Sequence, residues 1–404
     1  MCSDEEHAGR TTKGGDTVAI YLDHAATTPM SPEVLSAYIS ALSVVGNPSS
    51  IHSDGQNAKR MLEEAREQVA ASVGADSVEV TFTAGGTEAI NLAIKGLWWA
   101  RQPARSRILI AAAEHHATID AAAWLAAAEG AIVEEVPVDS LGRVDLSALE
   151  RMLGPDVALV SILLANNEVG TIQPVSGVVA LASRFDVPVH VDAVAAYGYL
   201  PIDFHALGAA VMSVSAHKIA GPVGVGALVI ARTATVVPLI HGGSQQRARS
   251  GTQDAAGAVA FGVAASQAAA GIEARQAHLR ALRDRLVAGV LSTVPTAVLR
   301  GDPVNRLAGN AHFTFPGCEG DSLLFLLDVA GFSVSTGSAC QAGVPEASHV
   351  LLAMGVSEPD ARGALRMTLG QDTTVAEIDA VVAALPDAVL RATAAGLADR
   401  AVSA

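Results

Sequence analysis

Apolar residues recur every three or four positions between Ser53 and Val73, at Ala58, Met61, Leu62, Ala65, Val69 and Val73, which predicts a helix. Further on, apolar runs of strand length cover 78–82, 107–111, 131–137, 157–164, 187–191, 209–213 and 226–230. Helical spacing separates some of them, at 118–129 and 146–153. Strands alternating with helices predict an α/β fold with a mostly parallel central sheet covered on both faces. Ligands of such sheets sit beyond the C-terminal ends of the strands.

A helix over 273–291, with Leu279, Leu282, Leu286, Val290 and Leu291 in register, leads into a different pattern. Strands at 311–315 and 364–369 and helices at 321–330, 348–354 and 375–384 predict a smaller α+β unit, with a Gly/Ser-rich loop around Gly337. A boundary near Gly271 divides a polar tail (1–17), a large domain (18–271) and a small domain (272–404). The first residues of the large domain are expected to pack with the small one.

A length of 404 residues fits this division, at roughly 150 residues per domain. Lys and Arg number 26 against 41 Asp and Glu, a net charge of −15. Phosphate backbones need clustered basic groups, so direct nucleic-acid binding is excluded. The apolar stretch 255–271 consists mainly of small residues, interrupted by Ser266 and Gln267, and falls short of the ~18–20 strongly apolar residues of a membrane span. It is expected to be a packed helix. The tail lacks the apolar core of a secretory signal. Cys2, Cys318 and Cys340 are too few for a disulfide framework. A cytoplasmic setting follows as the expectation.

Lysine is scarce, at positions 13, 59, 95 and 218 only. Lys218 alone stands just past an apolar run, in Ser215-Ala216-His217-Lys218, before the turn Gly221-Pro222-Val223-Gly224. Such a lysine can form a Schiff base or simply cap the strand. Asp192 ends the run 187–191 and can pair with a protonated ring nitrogen or N-cap a helix. Between a predicted strand and a helix lies Thr83-Ala84-Gly85-Gly86-Thr87-Glu88-Ala89, where small residues and a helix N-terminus suit a phosphate. It lacks the terminal Gly-Lys-Ser/Thr of a nucleotide-binding loop. Together these three features point to pyridoxal phosphate. Glu114-His115-His116 offers an imidazole to stack on the ring, and no third histidine or cysteine stands at metal-ligand spacing. Cys340 sits in the polar run Ser335 to Gly343, where a thiol is either a nucleophile or incidental.

These residues match a family. From Tyr21-Leu22-Asp23-His24-Ala25-Ala26-Thr27-Thr28-Pro29 to about Leu385, the chain resembles the cysteine desulfurases, NifS-like members of the class V, fold type I aminotransferases. The shared motifs include Asn47-Pro48-Ser49-Ser50 with His52, Asn166-Asn167-Glu168-Val169-Gly170, His241-Gly242-Gly243, Arg249-Ser250-Gly251-Thr252 and Leu365-Arg366-Met367-Thr368-Leu369-Gly370. The resemblance implies that Lys218 holds pyridoxal phosphate, Asp192 pairs its ring nitrogen, His115 stacks on it and takes or passes on the substrate thiol proton. It further implies that Asn167 contacts a cofactor oxygen, and that Gly86, Thr87, Ser215 and His217 bind the phosphate. Thr252 would reach the phosphate of a neighbouring subunit, which implies a homodimer. Arg366, helped by Asn47, would clamp the carboxylate of L-cysteine. Cys340 would receive the sulfur as a persulfide and deliver it to an iron–sulfur scaffold or a thiolation enzyme. No resident metal is implied, Cys340 offering at most a transient ligand to an iron–sulfur cluster in a partner complex.

The chain departs from the pattern at four places. Ala195 stands where the family has a glutamine, Gln246 follows Gln245 in place of a glutamate, the spacing to Arg249 is one residue short, and Asp254 replaces an asparagine. The competing readings are a selenocysteine lyase, a cysteine sulfinate desulfinase, an aminotransferase, or a cofactor-binding interaction subunit without catalysis.

Overall fold

A computed structural model describes residues 19–337 and 347–402, with 395–402 as backbone alone. Seven strands form the main sheet, in the spatial order Val80–Thr83, Gly226–Ile230, Val211–Ser215, Val189–Asp192, Val157–Leu163, Arg107–Ala111 and Ile132–Val136. Only Gly226–Ile230 runs against its neighbours; the other pairings are parallel. The mostly parallel sheet read from the sequence is the one observed.

Alternate residues of these strands feed two separate cores, as the period of two requires. Leu109, Val160, Val191, Met212 and Val214 face one cluster. Ile108, Ile110, Leu159, Val211 and Leu228 face the other, beneath the helices Gly86–Ala100 and His116–Glu129. The helix Ser53–Ser72 packs on Ala255–Ala270 through small side chains. A Cβ on Gly262 would meet Ala65 Cα at 3.0 Å, so glycine permits this close approach. Among the described residues no single helix is long and apolar enough to cross a membrane, and a 72° bend separates Ala255–Ala270 from Ile272–Thr293.

The C-terminal region builds its own core. Leu279, Leu282 and Leu286 meet Phe313, Leu323, Ile378 and Leu385, and Leu22 from near the start of the chain joins them. Ile20–Tyr21 pairs in parallel with Phe332–Ser333. A three-stranded antiparallel sheet places Asn310–Thr314 between Ala364–Thr368 and Val298–Arg300.

Two expectations change. The strands predicted at 187–191 and 209–213 lie two residues or so further on, at Val189–Asp192 and Val211–Ser215. Asp192 and Ser215 are therefore the last residues of their strands. The helix predicted to end at 384 runs over Val375–Val402 and contains Pro386. Proline forfeits one backbone donor, yet Leu385, Ala388 and Ala392 are buried against the C-terminal core, which holds the helix together beyond it.

Candidate active site

The strand ends of the main sheet open into a cavity of about 340 Å³. Gly86, Thr87, His115, Asn167, Asp192, His217, Lys218 and Arg366 all line it, so eight of the residues singled out in the sequence converge there. Ser335 and Gly337, which lead towards Cys340, close the rim. Cys340, like Cys2, lies outside the described residues.

Each side chain is placed by a local rule. Lys218 ends a short 3-10 turn after Val211–Ser215. Its Nζ donates to the carbonyls of Ala25 at 2.5 Å and Ala26 at 2.8 Å. Burial, then the Arg366 guanidinium, lowers its pKa to about 8. Asp192 is 2% exposed and accepts the Val194 N–H at 2.9 Å; burial raises its pKa to about 6. His115 N-caps the helix His116–Glu129, its Nδ1 accepting the Ala117 N–H at 3.1 Å. Burial, then Lys218, depresses this imidazole to about 4. With Nδ1 an acceptor, the proton of the neutral ring sits on Nε2.

Gly85, at φ 141°, turns the chain from the strand Val80–Thr83 into the helix Gly86–Ala100. The first-turn N–H groups of that helix lack helical acceptors and face an anion readily. A Cβ on Gly86 would stand 3.0 Å from Val194 and 3.5 Å from Ser215 Cβ. Ser215 Oγ is buried beside it with no partner. An unfilled hydroxyl next to free amides fits a phosphate, and Lys218 and Asp192 fit the aldehyde and the ring nitrogen. The residues present therefore suit pyridoxal phosphate.

Arg366 is oriented from two sides. Its Nη2 donates to Asp23 Oδ1 at 2.8 Å and its Nη1 to the Asn167 carbonyl at 2.8 Å, while Nε is buried without a partner. Asp23 was visible in the sequence only as part of a motif; nothing there signals that it aims Arg366. Glu168 likewise carries no sequence signal beyond its motif. It accepts the Ser348 hydroxyl at 2.5 Å, and a Cβ on Gly337 would come within 3.5 Å of its Oε2.

Two expected residues stay outside the cavity. Asn47 is exposed and its Oδ1 accepts the Ser49 N–H at 2.9 Å, a local turn contact. Thr252 is also exposed and does not line this chain's cavity.

Residues 20–381 match the class-V aminotransferase family. A relative from Mycobacterium tuberculosis named IscS-like cysteine desulfurase is 53% identical over 386 residues, covering 94% of this chain and 98% of its own. The cysteine desulfurase NifS of Azotobacter vinelandii is 40% identical, covering 91% and 92%. This chain belongs to the class-V aminotransferases, as a pyridoxal-phosphate-dependent cysteine desulfurase. Among solved structures, a NifS-like protein superposes with a TM-score of 0.86 at 35% identity, over 92% of this chain and 99% of its own. A structure described as SspA in complex with cysteine gives 0.77 at 30%, over 88% and 100%.

The desulfurase accommodates its departures from the family pattern. Gln246 Oε1 accepts the Phe82 N–H at 3.0 Å and its Nε2 donates to the Phe82 carbonyl at 2.8 Å, so one amide completes the edge strand Val80–Thr83. A carboxylate has no N–H to give Phe82. Asp254 N-caps Ala255–Ala270 through the Gly257 N–H at 2.8 Å, which asparagine does equally well. Ala195 lines both the main cavity and a small second one of about 40 Å³ with His24, Tyr199 and Asn310.

Proposed function

We propose that Lys218, Asp192, His115, Arg366 and Cys340 divide the desulfuration of L-cysteine among them. The observation that carries this is the cavity joining the first four with Ser335 and Gly337, which shortly precede Cys340 in the chain. Pyridoxal phosphate, when bound, supplies the electron sink for the Cα carbanion.

Lys218 Nζ anchors the cofactor and, once displaced by substrate, is the amine that moves the Cα proton. Its lowered pKa leaves a useful fraction uncharged near neutral pH. Asp192 holds the proton on the ring nitrogen. Asn167 donates to a cofactor oxygen, while Gly86, Thr87, Ser215 and His217 hold the phosphate. Arg366 receives the cysteine carboxylate, with Asn47 assisting once a neighbouring surface orders it. The sequence reading lets His115 take the thiol proton or pass it on. The cap on Nδ1 leaves Nε2–H as the ring's hydrogen-bond donor, able to orient the substrate sulfur. The Cys340 thiolate attacks the substrate sulfur: an S–S bond forms, the C–S bond breaks, and the carbon skeleton takes up protons and leaves as alanine.

The relative solved with cysteine supports the choice of substrate. The names IscS and NifS among the relatives support an acceptor in iron–sulfur assembly. A homodimer is supported by Thr252, exposed and absent from the lining of its own chain's cavity, and by the exposed Val45 and Ile51, at 85% and 91%, flanking Asn47. A cytoplasmic setting agrees with the few, dispersed cysteines. The test compares alanine and sulfide release from L-cysteine by wild type and Cys340→Ala. Sulfide transfer lost with the cofactor still bound is the expected result; alanine and sulfide release unchanged by the substitution would defeat the reading.

A further inference from the structure

Three adjacent strands carry polar side chains on the face beneath the helices Gly86–Ala100 and His116–Glu129. Ser161, His190 and Ser213 are each fully buried there. His190 Nδ1 lies 2.9 Å from the Ser161 hydroxyl, and Nε2 lies 2.9 Å from that of Ser213. Ser213 in turn donates to Asp192 Oδ1 at 3.5 Å. At the far end Ser161 faces the carboxyl of Glu114. Glu114 Oε1 accepts the Leu163 N–H at 2.8 Å, and Oε2 is buried with no partner.

Polar groups in such a core persist when they are mutually satisfied, and a neutral imidazole can receive a proton at one nitrogen while releasing one at the other. Burial holds His190 at about 3, which makes it neutral. Burial, then Asp192, raises Glu114 to about 8. The other groups facing the two carboxyls are the Val194 N–H and Lys218 at Asp192 and the Thr118 hydroxyl at Glu114.

We propose that Ser161, His190 and Ser213 form a buried proton relay through which Glu114 and Asp192 share one proton. This rests on the assignment of Asp192 to the ring nitrogen. In the first arrangement Glu114 is protonated and every donor points the same way: Glu114 to Ser161, Ser161 to Nδ1, Nε2–H to Ser213, Ser213 to the Asp192 carboxylate. In the second, each of these four protons has moved one step towards Asp192. Glu114 is then the carboxylate, Asp192 the acid, and His190 the other tautomer, with no net change in charge. A protonated ring nitrogen favours the first arrangement. Glu114 thereby stores the proton that would otherwise neutralise Asp192, and Glu114 and His190 act as positioning residues.

The readout is the infrared carbonyl stretch of protonated Glu114, identified by its loss in Glu114→Gln and followed against pH with and without pyridoxal phosphate. Loading the cofactor is expected to move the Glu114 midpoint by more than about one pH unit, as coupled sites require. Ser213→Ala, which removes one oxygen, is expected to cut that shift to less than half. Ser161→Ala cuts the relay one strand further from the cofactor and gives the same result if the Ser213 variant binds cofactor poorly. An equal shift in wild type and the Ser161 variant overturns the relay. The Asp192 assignment is checked separately by the ring-nitrogen ¹⁵N resonance of labelled cofactor: a resonance unchanged in Asp192→Asn overturns that assignment, whatever the serine variants do.

Discussion

Replacing Arg366 by lysine separates substrate binding from loop anchoring. The guanidinium is 5% exposed and held by Asp23 and the Asn167 carbonyl, each at 2.8 Å, with Nε still free. In the proposed role of Arg366, a substrate carboxylate would gain a second contact point because this planar group is already aimed. Lysine brings one point charge and loses the two-point geometry. A hydrogen bond to a charged group contributes about 1.5–3 kcal/mol. At about 1.4 kcal/mol per tenfold, Arg366→Lys is expected to raise KM for cysteine roughly 10- to 100-fold. The turnover number should fall much less, because the loop base is held by backbone: Ser335 N donates to the Arg366 carbonyl at 3.1 Å, and Arg366 N to the Ser335 carbonyl at 2.6 Å. Alanine formation measured across cysteine concentrations gives both constants. An unchanged KM with a large loss of kcat would refute the carboxylate clamp and point to a loop-positioning role.

Two further outcomes follow from the geometry. Attachment of pyridoxal phosphate to cofactor-free protein needs the uncharged Lys218 amine, so its rate should rise with pH, levelling above a midpoint near 8; a midpoint at the ordinary 10.5, read by rapid-mixing absorbance, would contradict the burial argument. Gln246→Ala leaves the Phe82 N–H and carbonyl without partners, a cost of about 1–3 kcal/mol for a buried orphan group. Faster hydrogen exchange at the Phe82 amide is the measurement, and exchange equal to wild type would show that the edge strand closes without that amide.

Local pattern carried far into this protein. Apolar runs of strand length located the main-sheet strands, since burial on both faces leaves nearly continuous apolar segments at 157–163 and 226–230, and three-to-four spacing located helices. Lysine scarcity singled out Lys218, and motif order brought the family into view. The limits were also local. The strand Val211–Ser215 was ended at Ser213 because a polar residue inside a buried strand reads as a boundary unless its partners are known. The helix beyond Pro386 was cut short because propensity is local, whereas the contacts of Ala388 and Ala392 are tertiary.

By itself, then, the chain's sequence determined the alternating architecture and the family and singled out the candidate lysine and aspartate, because each depends on residue type at short spacing. The tertiary structure alone decided what those groups touch. Asp23 and Arg366 are 343 positions apart yet form one ion pair. Glu114, Ser161, His190 and Ser213 come from one helix approach and three neighbouring strands, and only the parallel register of the sheet lines them up behind Asp192. Such long-range pairings are set by packing of whole elements, for which a one-dimensional pattern holds no signal.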